Sequence, residues 1–203
     1  MKELNLKMVP AHMRDRAEQC FAAGDAVGML ITMPNTECLE FVVHNAEALK
    51  WRGIYEESLV QAFTDTRTNH ASYSPSTIRY AFNMADSKKL LAAGDPLPPG
   101  DTFEVYRGVA GVGARRRLSG PSWTGDVEKA RWFARRSALA GLADPAVLGA
   151  TVRRKDIYYY ANYRNEHEFV VYVDSPKRLN IDLGDPRREA EEEAAAEEAA
   201  VKA

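Results

Sequence analysis

The run Asp95-Pro96-Leu97-Pro98-Pro99-Gly100 divides the chain into halves of different character. Proline fits neither a helix interior nor a central strand, so no regular element can cross this point. The residues before it read as helices. His12 to Ala23 predicts a first helix ended by Gly24, and Asn45 to Asp65 places Leu49, Ile54, Leu59, Val60 and Phe63 on a loose helical spacing. Ser74-Pro75 is a helix start, with Ile78, Ala81, Phe82 and Ala85 on one stripe and Gly94 as the stop. Cys38 to His44 fits a helix or a strand equally well. After the break come short β-like runs at Thr102–Arg107, Ser122–Thr124, Val147–Arg153, Glu168–Asp174 and Arg178–Leu183. One amphipathic helix interrupts them, from Asp126 to about Leu139, burying Ala130, Phe133 and Ala134 with Trp132 beside them. Strands in one half with a helix inserted imply an α+β fold rather than a repeating βαβ sheet.

The length of 203 residues suits one well-buried domain with a helical extension, and 45% hydrophobic with 28% charged residues is ordinary for a soluble chain. The predicted organisation is a helical lead over residues 1–70, a core over 71–184 and a Glu/Ala-rich tail over 185–203. The tail holds seven acids and three bases; without them the totals of 29 and 27 become 22 acids and 24 bases. A surplus of two is too small to argue for nucleic acid by itself. The tail has high helix propensity but no apolar stripe wider than alanine, so it is expected to be a solvated helix or disordered.

Cys20 and Cys38 form neither a disulfide framework nor a CxxC motif, which favours a reducing compartment. Met1 to Pro10 carries Lys2, Glu3 and Lys7 and lacks the apolar stretch of a Sec signal. No run approaches the roughly 18 apolar residues of a membrane span. The expectation is a protein that is cytoplasmic where it is made, with no membrane partner; delivery into a host would need a route without a Sec signal.

Three segments carry candidate chemistry. Glu166 and Glu168 stand two apart at the start of an apolar strand, so on strand geometry both point the same way, roughly 6.7 Å apart, with His167 on the other face. Arg107 ends a strand and is followed by Gly108: a guanidinium there can grip a phosphate bidentately, and a glycine lets a ligand approach the backbone. Ser122-Trp123-Thr124 presents two hydroxyls on one face. Each is commonplace alone; their order is not. The histidines at 12, 44, 70 and 167 lack ligand-like spacing, so no metal is expected. Gly108-x-x-Gly111-x-Gly113 follows a strand but is not a GxGxxG, and Arg115–Arg117 does not open a buried dinucleotide helix. The basic groups Arg115–Arg117, Arg135-Arg136 and Arg153–Lys155 read first as solvated faces, or else as guides for an acidic or nucleic-acid acceptor.

Taken in order, Val105-Tyr106-Arg107-Gly108, Ser122-Trp123-Thr124, Phe133-x-x-Arg136 and Glu166-x-Glu168 resemble the arginine/serine/glutamate class of mono-ADP-ribosyltransferases. That class includes binary actin-modifying toxins, bacterial exoenzymes and phage-encoded transferases. The likeness covers residues 85–183 and implies an ADP-ribosyltransferase-like split β-sandwich behind the helical lead. It also implies NAD as a substrate and ADP-ribose transfer to a protein acceptor, an arginine, with release of nicotinamide.

By position, Arg107 would hold the NAD diphosphate, and the Gly108 backbone would meet the nicotinamide amide. Ser122 would steady the catalytic glutamate and the nicotinamide ribose, while Thr124 would support the sheet or cleft. Phe133 would pack on nicotinamide, and Arg136 would contact phosphate. Glu168 matches the catalytic glutamate, Glu166 suits an arginine acceptor, and Tyr163 matches the aromatic of the acceptor-presenting loop. The sequence departs from the pattern at Trp123, where threonine is common, and in the tyrosine run Tyr158-Tyr159-Tyr160 ahead of Tyr163. NAD glycohydrolysis and transfer to nucleic acid are the enzymatic alternatives. A degenerate NAD-binding or protein-interaction module is the non-enzymatic one.

Overall fold

Helices gather before the Pro-rich break and strands after it in the computed structural model, which describes residues 3–65, 73–112, 120–162 and 165–184. Tyr163, the cluster Arg115–Arg117 and the tail from residue 185 lie outside the described residues. By their contacts the described residues form two units. The first runs to Leu97 and includes Tyr158–Ala161; the second holds Pro98–Ile157 and the residues from Asn162 onward.

The first unit contains α1 (Arg14–Ala23), α2 (Ala26–Leu30), α3 (Cys38–His44), α4 (Ala46–Arg52), α5 (Tyr55–Asp65), α6 (Pro75–Asn83) and α7 (Ser87–Ala93). Cys38–His44 is thus a helix, burying Cys38, Leu39, Phe41 and Val42. The single helix expected over 45–65 is two. Gly53, at φ +84°, takes the left-handed conformation that a helical residue cannot hold, and its N–H caps the carbonyls of Leu49 and Lys50. The 74–94 stretch divides likewise: Ser74 caps Thr77 N–H at 3.1 Å, and Asp86 starts a new helix by capping Lys88 and Lys89. Around α5 the core includes Phe41, Leu49, Leu59, Phe63 and Phe82, all buried; each such side chain stabilises by about 2 kcal/mol relative to exposure.

The tyrosine run contributes to this core. Tyr159 and Tyr160 are buried in a strand the periodicity missed (Tyr159–Ala161), and Tyr158 and Tyr159 both pack near the Phe82 ring.

Tyr55 is fully buried at the start of α5 and donates its phenol to Ala81 O at 2.9 Å. Burial foremost, and then nearby Glu56 and Tyr80, push this phenol far above the ordinary 10.0. The folded state therefore keeps the proton that the unfolded chain loses. This contribution to stability is complete below about pH 10 and declines as pH rises above it. Tyr158 and Tyr160 are raised by burial as well and act in the same direction. Urea titrations of Tyr55→Phe should show a loss of about 1 kcal/mol at pH 7 and a shallower decline between pH 9.5 and 11. A decline as steep as in the unsubstituted protein would refute the assignment.

The second unit is a sheet with one helix on it. Its strands are β1 (Thr102–Val109), β2 (Ser122–Thr124), β3 (Ala146–Arg153), β5 (Glu168–Val170) and β6 (Lys177–Arg178), with β4 being Tyr159–Ala161 of the first unit. They run antiparallel in the order β5-β2-β1-β3-β6. Together with the helical unit this makes the protein α+β. β1 and β3 pair over eight positions from Thr102↔Arg153 to Val109↔Ala146, whereas β1 and β2 pair at Tyr106↔Thr124 alone.

Alternation puts Tyr106, Gly108, Val147 and Gly149 on one face. Helix α8 (Val127–Leu139), started by Asp126 capping Glu128 and Lys129, packs there through Ala130 and Ala134. Leu179, Ile181 and Leu183 pack against the same cluster. They follow a strand of two residues, because the Arg178–Leu183 run pairs with β3 only at its start. The opposite face buries Val105, Val109, Leu148, Val152, Trp123 and Phe169. Trp132 is solvent-facing on α8, contrary to the sequence reading, and Phe133 is half-buried. No helix among the described residues is long and apolar enough to cross a membrane.

Candidate functional site

Strand register brings together residues that stand far apart in the chain. β2 and β5 pair with Ser122 opposite Val170 and Thr124 opposite Glu168. Ser122 and Glu168 are therefore diagonal neighbours on one face, within reach of a glutamate side chain. The Ser122 hydroxyl donates to Glu168 Oε1. On β1, Arg107 adjoins the Tyr106↔Thr124 pair and so leaves the strand on the Trp123 face. Its Nη1 donates to Gly120 O and, at 3.2 Å, to Ser122 O, with the guanidinium 6.0 Å from the Trp123 ring. Ser122 thus meets both residues, but through different groups: its backbone carbonyl accepts from Arg107 while its hydroxyl donates to Glu168, and Arg107 leaves β1 on the sheet face opposite to Ser122 and Glu168. Trp123 points away from Ser122 and Thr124, as expected for the middle residue of a strand triplet, and backs Arg107.

The Glu166–Glu168 relation differs from the sequence reading. β5 begins at Glu168, and Glu166 precedes it in a loop where Asn165 (φ +53°) and His167 (φ +46°) are both left-handed. Strand alternation therefore does not relate the two carboxylates, and His167 is not a strand residue on the other face. The cause is long-range hydrogen bonding: Thr124 Oγ1 donates to Glu166 O at 2.5 Å, and Gly125 N–H donates to His167 O at 2.8 Å. Asn162 Oδ1 takes the His167 N–H at 3.2 Å, and Asn162 O takes the Asn165 N–H at 2.9 Å. These bonds hold a conformation unusual for a non-glycine residue.

Gly108 has a structural reason for being glycine. A Cβ there would lie 2.1 Å from Ala130 O, 2.5 Å from Ala134 N and 2.8 Å from Phe133 Cβ. The backbone of α8 fills that space, so on the Cβ side it is the helix that approaches the strand. The same contact sets the root of Phe133 beside the residue that follows Arg107. Phe133 also packs edge-on against Trp132 at 5.0 Å, and the exposed Arg136 lies over the Trp132 ring at 5.0 Å.

Thr124 is the residue that sequence reasoning undervalued. It is buried, and its hydroxyl joins three elements: it accepts from Asp126 N–H at 3.0 Å while donating to Glu166 O. Its place in a Ser-x-Thr triplet was a weak signal, because its partner stands 42 positions away. Comparison of the chain with protein-family models, with curated proteins and with solved structures finds no significant match.

Proposed function

We propose that this chain is an NAD-dependent mono-ADP-ribosyltransferase of the arginine/serine/glutamate class, built on an ADP-ribosyltransferase-like split β-sandwich and acting on a protein arginine. The Ser122–Glu168 side-chain hydrogen bond carries the reading, with Arg107 tied to the same strand through the Ser122 carbonyl. These are the residues from three separate strands that the motif order pairs with one activity.

In the reaction the bond between the nicotinamide nitrogen and ribose C1′ breaks, and its electron pair returns to nicotinamide. Positive charge develops on the ribose, as in glycoside hydrolysis, and the Glu168 carboxylate stabilises it. Ser122 holds that carboxylate in place. Arg107, with Gly120 O and Ser122 O fixing its Nη1, offers a preoriented guanidinium to the NAD diphosphate. Arg136 supplies a second cation, Phe133 packs on the nicotinamide, and the Gly108 backbone meets its amide. The acceptor guanidine nitrogen then bonds to C1′. An arginine is protonated at neutral pH, so Glu166 accepts the proton it gives up. By its place in the motif order, Tyr163 is assigned to acceptor recognition.

Incubation of purified protein with labelled NAD and a cell lysate should yield labelled protein. Glu166→Gln should reduce transfer about a hundredfold while changing nicotinamide release severalfold at most. Equal loss of both activities would remove Glu166 from its acceptor role. Nicotinamide release without labelled macromolecule would identify a glycohydrolase instead, and nuclease-sensitive label a nucleic-acid acceptor. Failure to bind NAD would leave an interaction module.

A further inference from the structure

We infer that Thr124 is the positioning residue for the acceptor side of the site, coupling the Glu166 loop to the strand that carries Ser122. This rests on the transferase reading. One hydroxyl has one proton to give. Asp126 N–H can only donate, so it occupies a lone pair of Thr124 Oγ1, and the hydroxyl proton goes to Glu166 O. The direction of both bonds is thereby set, and Thr124 is buried, so water does not compete for them.

The next residue extends the clamp, Gly125 N–H donating to His167 O. Two consecutive residues of the β2 end thus hold the carbonyls of two consecutive residues ahead of Glu168. Asn165 and His167, both left-handed, flank Glu166, and neither conformation is one the residue favours by itself. The hydroxyl therefore stabilises the backbone geometry that aims the Glu166 carboxylate.

The triplet has a division of labour. Ser122 holds the carboxylate of Glu168, which serves bond cleavage, and Thr124 holds the backbone of Glu166, which serves the acceptor. Loss of the Thr124 hydroxyl should harm transfer more than hydrolysis, because water needs no guanidinium aimed at C1′. A purely structural threonine, supporting only the α8 cap through Asp126, would affect both together.

The test uses the full chain, NAD, and arginine methyl ester as acceptor. Thr124→Val keeps the shape and removes the hydroxyl; its ratio of transfer to hydrolysis should fall about tenfold, with a raised KM for the ester. Thr124→Ser should restore the ratio to within about twofold. Amide exchange should accelerate at Asp126 and His167 in Thr124→Val and return to normal in Thr124→Ser. Parallel loss of both activities in Thr124→Val, or an unchanged ratio, overturns the inference while the transferase reading stands. An unsubstituted protein that consumes no NAD overturns both.

Discussion

Glu168→Gln is expected to lower nicotinamide release and ADP-ribose transfer together, by about a thousandfold. Glutamine keeps the size of the side chain and an oxygen to accept from Ser122, so the bond between β2 and β5 side chains can persist. On the proposed reaction, what disappears is the negative charge opposite the developing oxocarbenium. Preorganised charge stabilisation of this kind contributes about 3–4 kcal/mol to a barrier, and each 1.36 kcal/mol is tenfold in rate. Both activities share the bond-breaking step, so both fall, in contrast to Glu166→Gln and Thr124→Val. Steady-state rates of nicotinamide release, with circular dichroism to verify folding, make the comparison. A Glu168→Gln protein retaining a tenth or more of the activity would remove Glu168 from the catalytic role.

The second large effect is on stability. Gly108→Ala would drive a methyl group to within 2.1 Å of Ala130 O and 2.5 Å of Ala134 N. Both are backbone atoms of one helix, so neither can turn aside as a side chain would; α8 must shift as a body. Overpacking of this kind costs about 3 kcal/mol, which for a chain of this size lowers the melting temperature by roughly 10 °C. Because α8 carries Phe133 and Arg136, the proposed reading adds that the KM for NAD should rise in whatever fraction stays folded. A melting temperature within 2 °C of the unsubstituted protein would show that α8 does not seat on β1 as described.

Much of the second unit was legible locally. The Pro-rich break, Asp126 as a helix start and the strand character of 102–107 and 122–124 follow from terms acting over a few residues, although β1 continues to Val109, so that Arg107 lies within the strand and not at its end. Similarly, Ser74 capped the helix it was expected to start. The reading failed where distant partners decide. Glu168–Asp174 looked like seven residues of strand, but β2 offers only three residues to pair with, so the strand ends at Val170. The tyrosine run looked like loop aromatics, whereas Tyr159 and Tyr160 are core residues of the helical unit.

The amino-acid sequence by itself determined the change from helices to strands at the Pro-rich break, the helix starts at Ser74 and Asp126, and the residue types Arg107, Ser122 and Glu168 in their order. Propensity, capping and periodicity are local, and local terms are written in the chain. Only the tertiary structure decided that Ser122 reaches Glu168, that Gly108 is reserved for α8, and that Glu166 leaves the strand. Those outcomes depend on strand register, on helix seating and on hydrogen bonds between residues 42 and 46 positions apart, whose geometry no window of neighbouring residues contains.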